Sequence, residues 1–164
     1  MPKTVIHAAL SENRLIRRLI KLGDELGLDR REFVIFGSGP LLAHGLRQSI
    51  SDLDIVACGK AWDAVSRHGF PATGSISGAP MALFWGRRIQ FSPQWISKDW
   101  NTDHLIGQAE IIQGLPFAQL TDVLTYKQML DRPKDRPDIE ALLRRPGNTR
   151  GSGRTRISTG VERQ

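Results

Sequence analysis

Two short stretches separated by thirteen residues constrain this chain more than anything else in it: Phe36-Gly37-Ser38, then Asp52-Leu53-Asp54-Ile55. The first closes the apolar run Phe33 to Phe36, which reads as a buried strand broken by the tight turn Gly37-Ser38-Gly39. The second opens the β-rich run Leu53 to Cys58, continuous enough for an interior strand. Residues two apart on a strand point to the same side, so Asp52 and Asp54 present two carboxylates together while Leu53 and Ile55 enter the core. Acids held side by side repel unless a cation sits between them. Hard cations such as Mg²⁺ or Mn²⁺ take oxygen ligands and keep water and substrate phosphates in the remaining positions. The Gly-Ser turn offers backbone N–H groups and a hydroxyl where a helix begins, a cradle for phosphate. A phosphate grip beside a metal-holding acid pair suits phosphoryl or nucleotidyl transfer. The plainer reading is a surface turn followed by two solvated acids at a strand start, and an isolated D-x-D would not decide between them.

The rest of the pattern supplies the frame. Ser11 to Leu26 carries Leu15, Ile16, Leu19, Ile20 and Leu22 at helical spacing, with Ser11 placed to cap it and Gly27 to end it. Pro40 to Leu46 and Trp62 to His68 read as short helices. Met81 to Trp85 and Arg88 to Phe91 flank Gly86-Arg87 as a hairpin. Thr102 to Gln108 is a helix candidate. Ala109 to Gln113 reads as a strand ended by Gly114-Leu115-Pro116. Leu120 to Leu130 and Asp138 to Arg144 close the chain as helices. The expected class is α/β (α+β), a small mixed sheet flanked by helices.

Charge needs locating before it means anything. The 164 residues carry a formal +6, but residues 144–164 hold six Arg against Glu162, leaving the first 143 residues at +1. That tail is rich in Gly, Ser and Thr and cannot bury enough surface to offset the entropy of ordering. It is expected to be a flexible basic arm over 146–164, after a domain spanning 1–145. Such an arm either holds phosphates non-specifically or is a solubilising extension. The single cysteine, Cys58, allows neither an internal disulfide nor a zinc cluster. No apolar run reaches the ~18 residues of a membrane span, and no secretory leader is visible. A cytoplasmic protein without a membrane partner is the expectation.

Phe36-Gly37-Ser38, the spacer and Asp52-Leu53-Asp54-Ile55 resemble the signature of the DNA polymerase beta-like nucleotidyltransferase superfamily, at the long end of its spacer. Gly45-Leu46-Arg47 and Ser51 resemble the approach to the acid pair in minimal members. Asp122 to Lys127, then Arg132-Pro133-Lys134-Asp135, resemble the D-xxxx-K and R-x-K-D elements of abortive-infection and toxin-type members. The resemblance spans about 33–143. It implies a nucleotidyltransferase fold and transfer of NMP from an NTP to a hydroxyl on RNA, protein or a small molecule. It implies Mg²⁺ (or Mn²⁺) held by Asp52 and Asp54, and triphosphate contacts from Gly37, Ser38, Arg47, Lys127 and Lys134. It further implies a toxin–antitoxin or phage-defence setting with a cognate antitoxin protein as partner. One departure stands out. Many members place a third carboxylate on the following hairpin, where this chain has Arg87-Arg88-Ile89-Gln90-Phe91-Ser92. Gln90 falls at that position; Asp99 and Asp103 are the next acids.

Individual residues leave choices open. Lys127 falls in the middle of the face formed by Leu120, Val123, Leu124 and Leu130, so it either snorkels or points at a ligand. Its removal is expected to relieve a charge on an apolar face. Asp122 lies on the opposite face. Asp135 stands where a helix cap is expected, and Arg132 and Lys134 either reach phosphate or are solvated. His44 faces nucleotide, packing or solvent. Trp85 is expected in the core, while Trp95 and Trp100 either pack or stack a base. Cys58 is expected to be a buried, inert thiol. Three functions follow: an active nucleotidyltransferase, a silent nucleotidyltransferase-like fold that binds nucleotide or a partner, and a nucleic-acid-binding module driven by the basic tail.

Overall fold

A computed structural model describes residues 10–145, apart from 76 and 96–99. The tail expected over 146–164, and Asp99, lie outside the described residues. No helix among the described residues is long and apolar enough to cross a membrane. The chain forms two compact units, one up to Gln119 and one from Leu120.

The first unit starts with α1 (Arg14–Leu26). Its cap is Asn13, not Ser11: the Asn13 carboxamide oxygen accepts from the Ile16 N–H at 3.0 Å. Ser11 sits in a preceding helical turn, because the chain breaks at Asn13 before the main helix begins. Gly27, at φ 68°, ends the helix in the left-handed conformation that glycine adopts without penalty. Leu15, Ile16, Leu19 and Leu22 are buried along one side.

There follow β1 (Phe33–Phe36), α2 (Gly39–Ala43), β2 (Leu53–Ala57), α3 (Gly59–His68), β3 (Phe70–Thr73), β4 (Pro80–Phe84), β5 (Ile89–Ser92), α4 (Thr102–Gly107), β6 (Glu110–Ile112) and β7 (Leu115–Phe117). The seven strands form one mixed sheet in the order β3-β4-β5-β2-β1-β7-β6. The pairs β1/β2, β3/β4, β4/β5 and β6/β7 are antiparallel, while β2/β5 and β1/β7 are parallel. β1 and β2 lie at the centre, where both faces are covered, and this accounts for the unbroken apolar run of β1.

Two strands were not legible in the pattern. β3 follows α3 after one residue, and its side chains are largely exposed, so it shows no apolar alternation. The segment expected to end a strand at Gly114-Leu115-Pro116 instead turns and continues. Gln113 (φ 51°) and Gly114 (φ 79°) form a two-residue hairpin of the kind that matches strand twist. Leu115–Phe117 then returns as β7, alongside β1, with Ile35 opposite Phe117.

One face of the sheet builds the main core. Phe33, Ile35, Leu53, Ile55, Ala57, Ile89 and Phe91 pack with the buried side of α1 and with Ala61 and Val65 of α3. Each large side chain buried this way contributes about 1.5–3 kcal/mol. The start of α3 is held by Glu32, whose carboxylate accepts from the Ala61 N–H at 2.9 Å.

The second unit is α5 (Leu120–Leu130), a short 3-10 turn (Pro133–Asp135) and α6 (Arg136–Leu143).

Candidate active site

Antiparallel pairing of β1 with β2 puts Phe36 opposite Asp54. The chain leaves β1 directly into Gly37, at φ 64°, where a Cβ would lie 2.6 Å from Asp54 Oδ2. Gly37 is thus required twice, by its backbone conformation and by the carboxylate against it. Gly39 is tied in the same way, since a Cβ there would collide with Ile35 Cγ2. The turn therefore lies flat on the end of the sheet, with its Gly37 backbone against the Asp54 side chain.

Ser38 stands at the start of α2. Its hydroxyl accepts no N–H from the helix; instead it accepts from Arg47 Nη1 at 3.2 Å. Its carbonyl takes the N–H groups of Leu41 and Leu42. At five residues α2 is too short for a helix-dipole argument; what the turn offers phosphate is local backbone and the Arg47 guanidinium.

Asp54 is on β2, partly buried, between Leu53 and Ile55 in the core. Asp52, expected on the same strand, lies one residue before it, because β2 begins at Leu53. Both acids keep partial solvent exposure. Gln90 is directly opposite Asp54 in the parallel β2/β5 pairing and so shares its side of the sheet. Its amide donates to the Arg87 carbonyl at 2.9 Å. Asp103 is exposed in the first turn of α4.

On the same side, Phe36 is fully buried beneath two tryptophans. Trp95 stacks on it at 4.4 Å between ring centroids, and Trp100 meets it edge-on at 5.9 Å. Both thereby act as packing, forming an apolar wall beside Asp54. Trp85 is the reverse of its expectation. It sits at the hairpin tip with 38% of its surface exposed, and Arg18 lies 5.0 Å above its ring. His44 is held by Glu110, Nε2 to Oε1 at 2.7 Å, a link across 66 residues for which the sequence carries no local signal. Cys58 is partly exposed, not buried; burial, then Asp103 and Glu32, raise its pKa, so the thiol stays protonated and unreactive.

In the second unit, Lys127 is 2% exposed and its ammonium lies 3.0 Å from Asp135 and 3.2 Å from Asp138. It neither snorkels nor reaches for an open ligand position. Arg132 Nε donates to the other Asp135 oxygen at 2.6 Å. Asp135 occupies the cap position of α6, yet its side chain makes no cap bond, because both oxygens are engaged by these cations. Burial alone would raise the Asp135 pKa, but Arg132 and Lys127 outweigh it and the carboxyl titrates below its ordinary range. Lys134 is exposed.

The donor set fits a hard divalent ion. Asp52 and Asp54 offer carboxylate oxygens, and Mg²⁺ is commonly bound by one or two carboxylates with water and substrate phosphate completing its shell. Among the described residues no three His, Cys, Asp or Glu side chains group as a self-sufficient metal site.

No known protein family matches the chain, and no curated protein does. Among solved structures, the fold is similar to the crystal structure of a protein from Thermotoga maritima described as a putative nucleotidyltransferase. The TM-score is 0.51 at 16% identity, covering 78% of this chain and 91% of that one. The chain therefore has a nucleotidyltransferase-like fold. That likeness does not extend to the abortive-infection or toxin-type branch.

Proposed function

We propose that this chain is a metal-dependent nucleotidyltransferase that moves NMP from an NTP to an acceptor hydroxyl. The observation that supports the reading is the close approach of the Gly37 backbone to the Asp54 carboxylate, which brings the glycine turn and the acid side by side. In this reading Asp52 and Asp54 hold Mg²⁺ or Mn²⁺, which when bound would neutralise charge on the triphosphate and the pyrophosphate it becomes. Gly37 and Ser38 bind the β- and γ-phosphates, with Arg47 drawn to them by the Ser38 hydroxyl. The acceptor oxygen attacks the α-phosphorus, forming a new P–O bond as the bond to the β-phosphate oxygen breaks, and the hydroxyl proton passes to solvent. Positioning and electrostatics supply most of the rate.

Lys127 is taken as a brace of the second unit, since two carboxylates neutralise its ammonium. The toxin or phage-defence setting, with an antitoxin partner, rests on Asp122, Lys127 and the Arg132-Lys134-Asp135 run alone.

Gln90 opposite Asp54 favours a second reading, a silent fold that binds NTP without transferring from it, because a neutral amide binds Mg²⁺ weakly and takes no proton. Incubation with each α-labelled NTP, Mg²⁺ or Mn²⁺ and cell extract separates the two. Label on a macromolecule that is absent with Asp54→Asn supports transfer. NTP binding without label supports the silent fold.

A further inference from the structure

The sequence puts most of the chain's excess charge in its tail, yet the folded first unit gathers six further cations on two neighbouring elements. On α1, Arg14, Arg17, Arg18 and Lys21 recur at spacings of three and four, which aligns them on one face opposite the buried Leu15, Ile16, Leu19 and Leu22. The tip of the β4–β5 hairpin adds Arg87 and Arg88, both exposed. Arg18 over the Trp85 ring joins the two elements into a single surface. None of these six cations pairs with a carboxylate among the described residues. A net +1 over residues 1–143 conceals this patch; the acids of α1, Asp24 and Glu25, are confined to its last turn, beyond the four cations.

We propose that this surface binds a single-stranded segment of nucleic acid. Five of the six cations are Arg, whose planar fork matches phosphate oxygens better than an ammonium does. Trp85, held outward by a φ of 51°, keeps over a third of its surface open beside them. An exposed ring among guanidinium groups is the pairing that tracks a phosphate backbone while stacking an unpaired base. An acidic protein surface would satisfy the cations but leave the indole without a purpose.

The surface also has a direction. The Arg88 carbonyl accepts from the Leu53 N–H at 2.7 Å, between the two acids, so the hairpin tip abuts the Asp52–Asp54 end of β2. A strand lying across α1 and the tip ends beside the acid pair. The binding stands on charge and ring placement and does not depend on the transfer reading.

The test is binding of the full chain to a fluorescent single-stranded 20-mer, as RNA and as DNA, over a salt series without NTP or divalent metal. If all six cations engage phosphates, log Kd varies with log salt at a slope of about 4. The triple variant Arg14→Ala, Arg17→Ala, Lys21→Ala lowers that slope by about 2 and weakens binding at least tenfold at low salt. Trp85→Ala weakens binding roughly 5- to 100-fold and leaves the slope unchanged, because stacking releases no counterions. The proposal is overturned if these variants bind like the parent while Arg150→Gln, Arg154→Gln, Arg156→Gln abolishes binding, which would assign it to the tail. It is equally overturned if poly-glutamate displaces the 20-mer as well as unlabelled oligonucleotide does. Because no NTP is present, loss of transfer activity leaves the outcome untouched.

Discussion

A side chain on Gly37 would place its first carbon 2.6 Å from Asp54 Oδ2, closer than any real packing allows. The turn and the acid therefore form one unit of structure, and neither can change alone. Gly37→Ala should cost about 1–3 kcal/mol through its positive φ, and should in addition displace the Asp54 carboxylate. Urea unfolding measures the first effect and calorimetric titration of Mg²⁺–NTP the second. Unchanged NTP affinity in a folded Gly37→Ala protein would detach the turn from the site.

Asp54→Asn preserves shape but removes a negative charge. Transfer should fall by at least about 100-fold, the scale on which loss of one electrostatic group lowers kcat. The melting temperature should fall by no more than about 4 °C, since Asn keeps the shape of a residue that is only partly buried. A variant that transfers at the parent rate would end the metal assignment.

Lys127→Ala should destabilise the protein by about 3–5 kcal/mol, the cost of breaking a buried ion pair from one side. Asp135 is 2% and Asp138 7% exposed, and both lose the ammonium they share. This reverses the expectation from periodicity alone, in which the lysine was an unwelcome charge on an apolar face. Combining Lys127→Met with Asp135→Asn and Asp138→Asn should recover much of the loss; thermal unfolding of the single and triple variants decides it.

Acid should weaken the second unit through Asp135. Its folded pKa is depressed below the unfolded carboxylate value of about 4. The stability it contributes is therefore complete above that value, falls as pH drops from about 4 toward the folded pKa, and is gone below it. Asp135→Asn should flatten the pH dependence of unfolding in that window while lowering stability at neutral pH. An equally steep acid profile in the variant would place the acid-sensitive group elsewhere.

Sequence alone determined what depends on short range. Continuous apolar runs marked Phe33 to Phe36 and Leu53 to Cys58 as strands, of which the second ends at Ala57, and the period of two within a strand set Asp54 apart from the buried Leu53 and Ile55. Helical spacing settled the buried side of α1, and Gly86 the hairpin after β4. Tertiary structure decided everything that depends on a partner distant in the chain. β3 and β7 became strands because β4 and β1 were there to receive their backbone groups: β3 is too exposed to show an apolar pattern, and β7, though apolar and buried, is only three residues long and carries a proline. Gln90 came opposite Asp54 only through the parallel crossover from β2 to β5. Trp85 was left outside although it is aromatic, since the hairpin tip turns it toward Arg18. Lys127 looked misplaced until Asp135 and Asp138 were brought to it: a buried charge is tolerable only where opposite charges neutralise it, and periodicity describes a helix face but not what packs against that face.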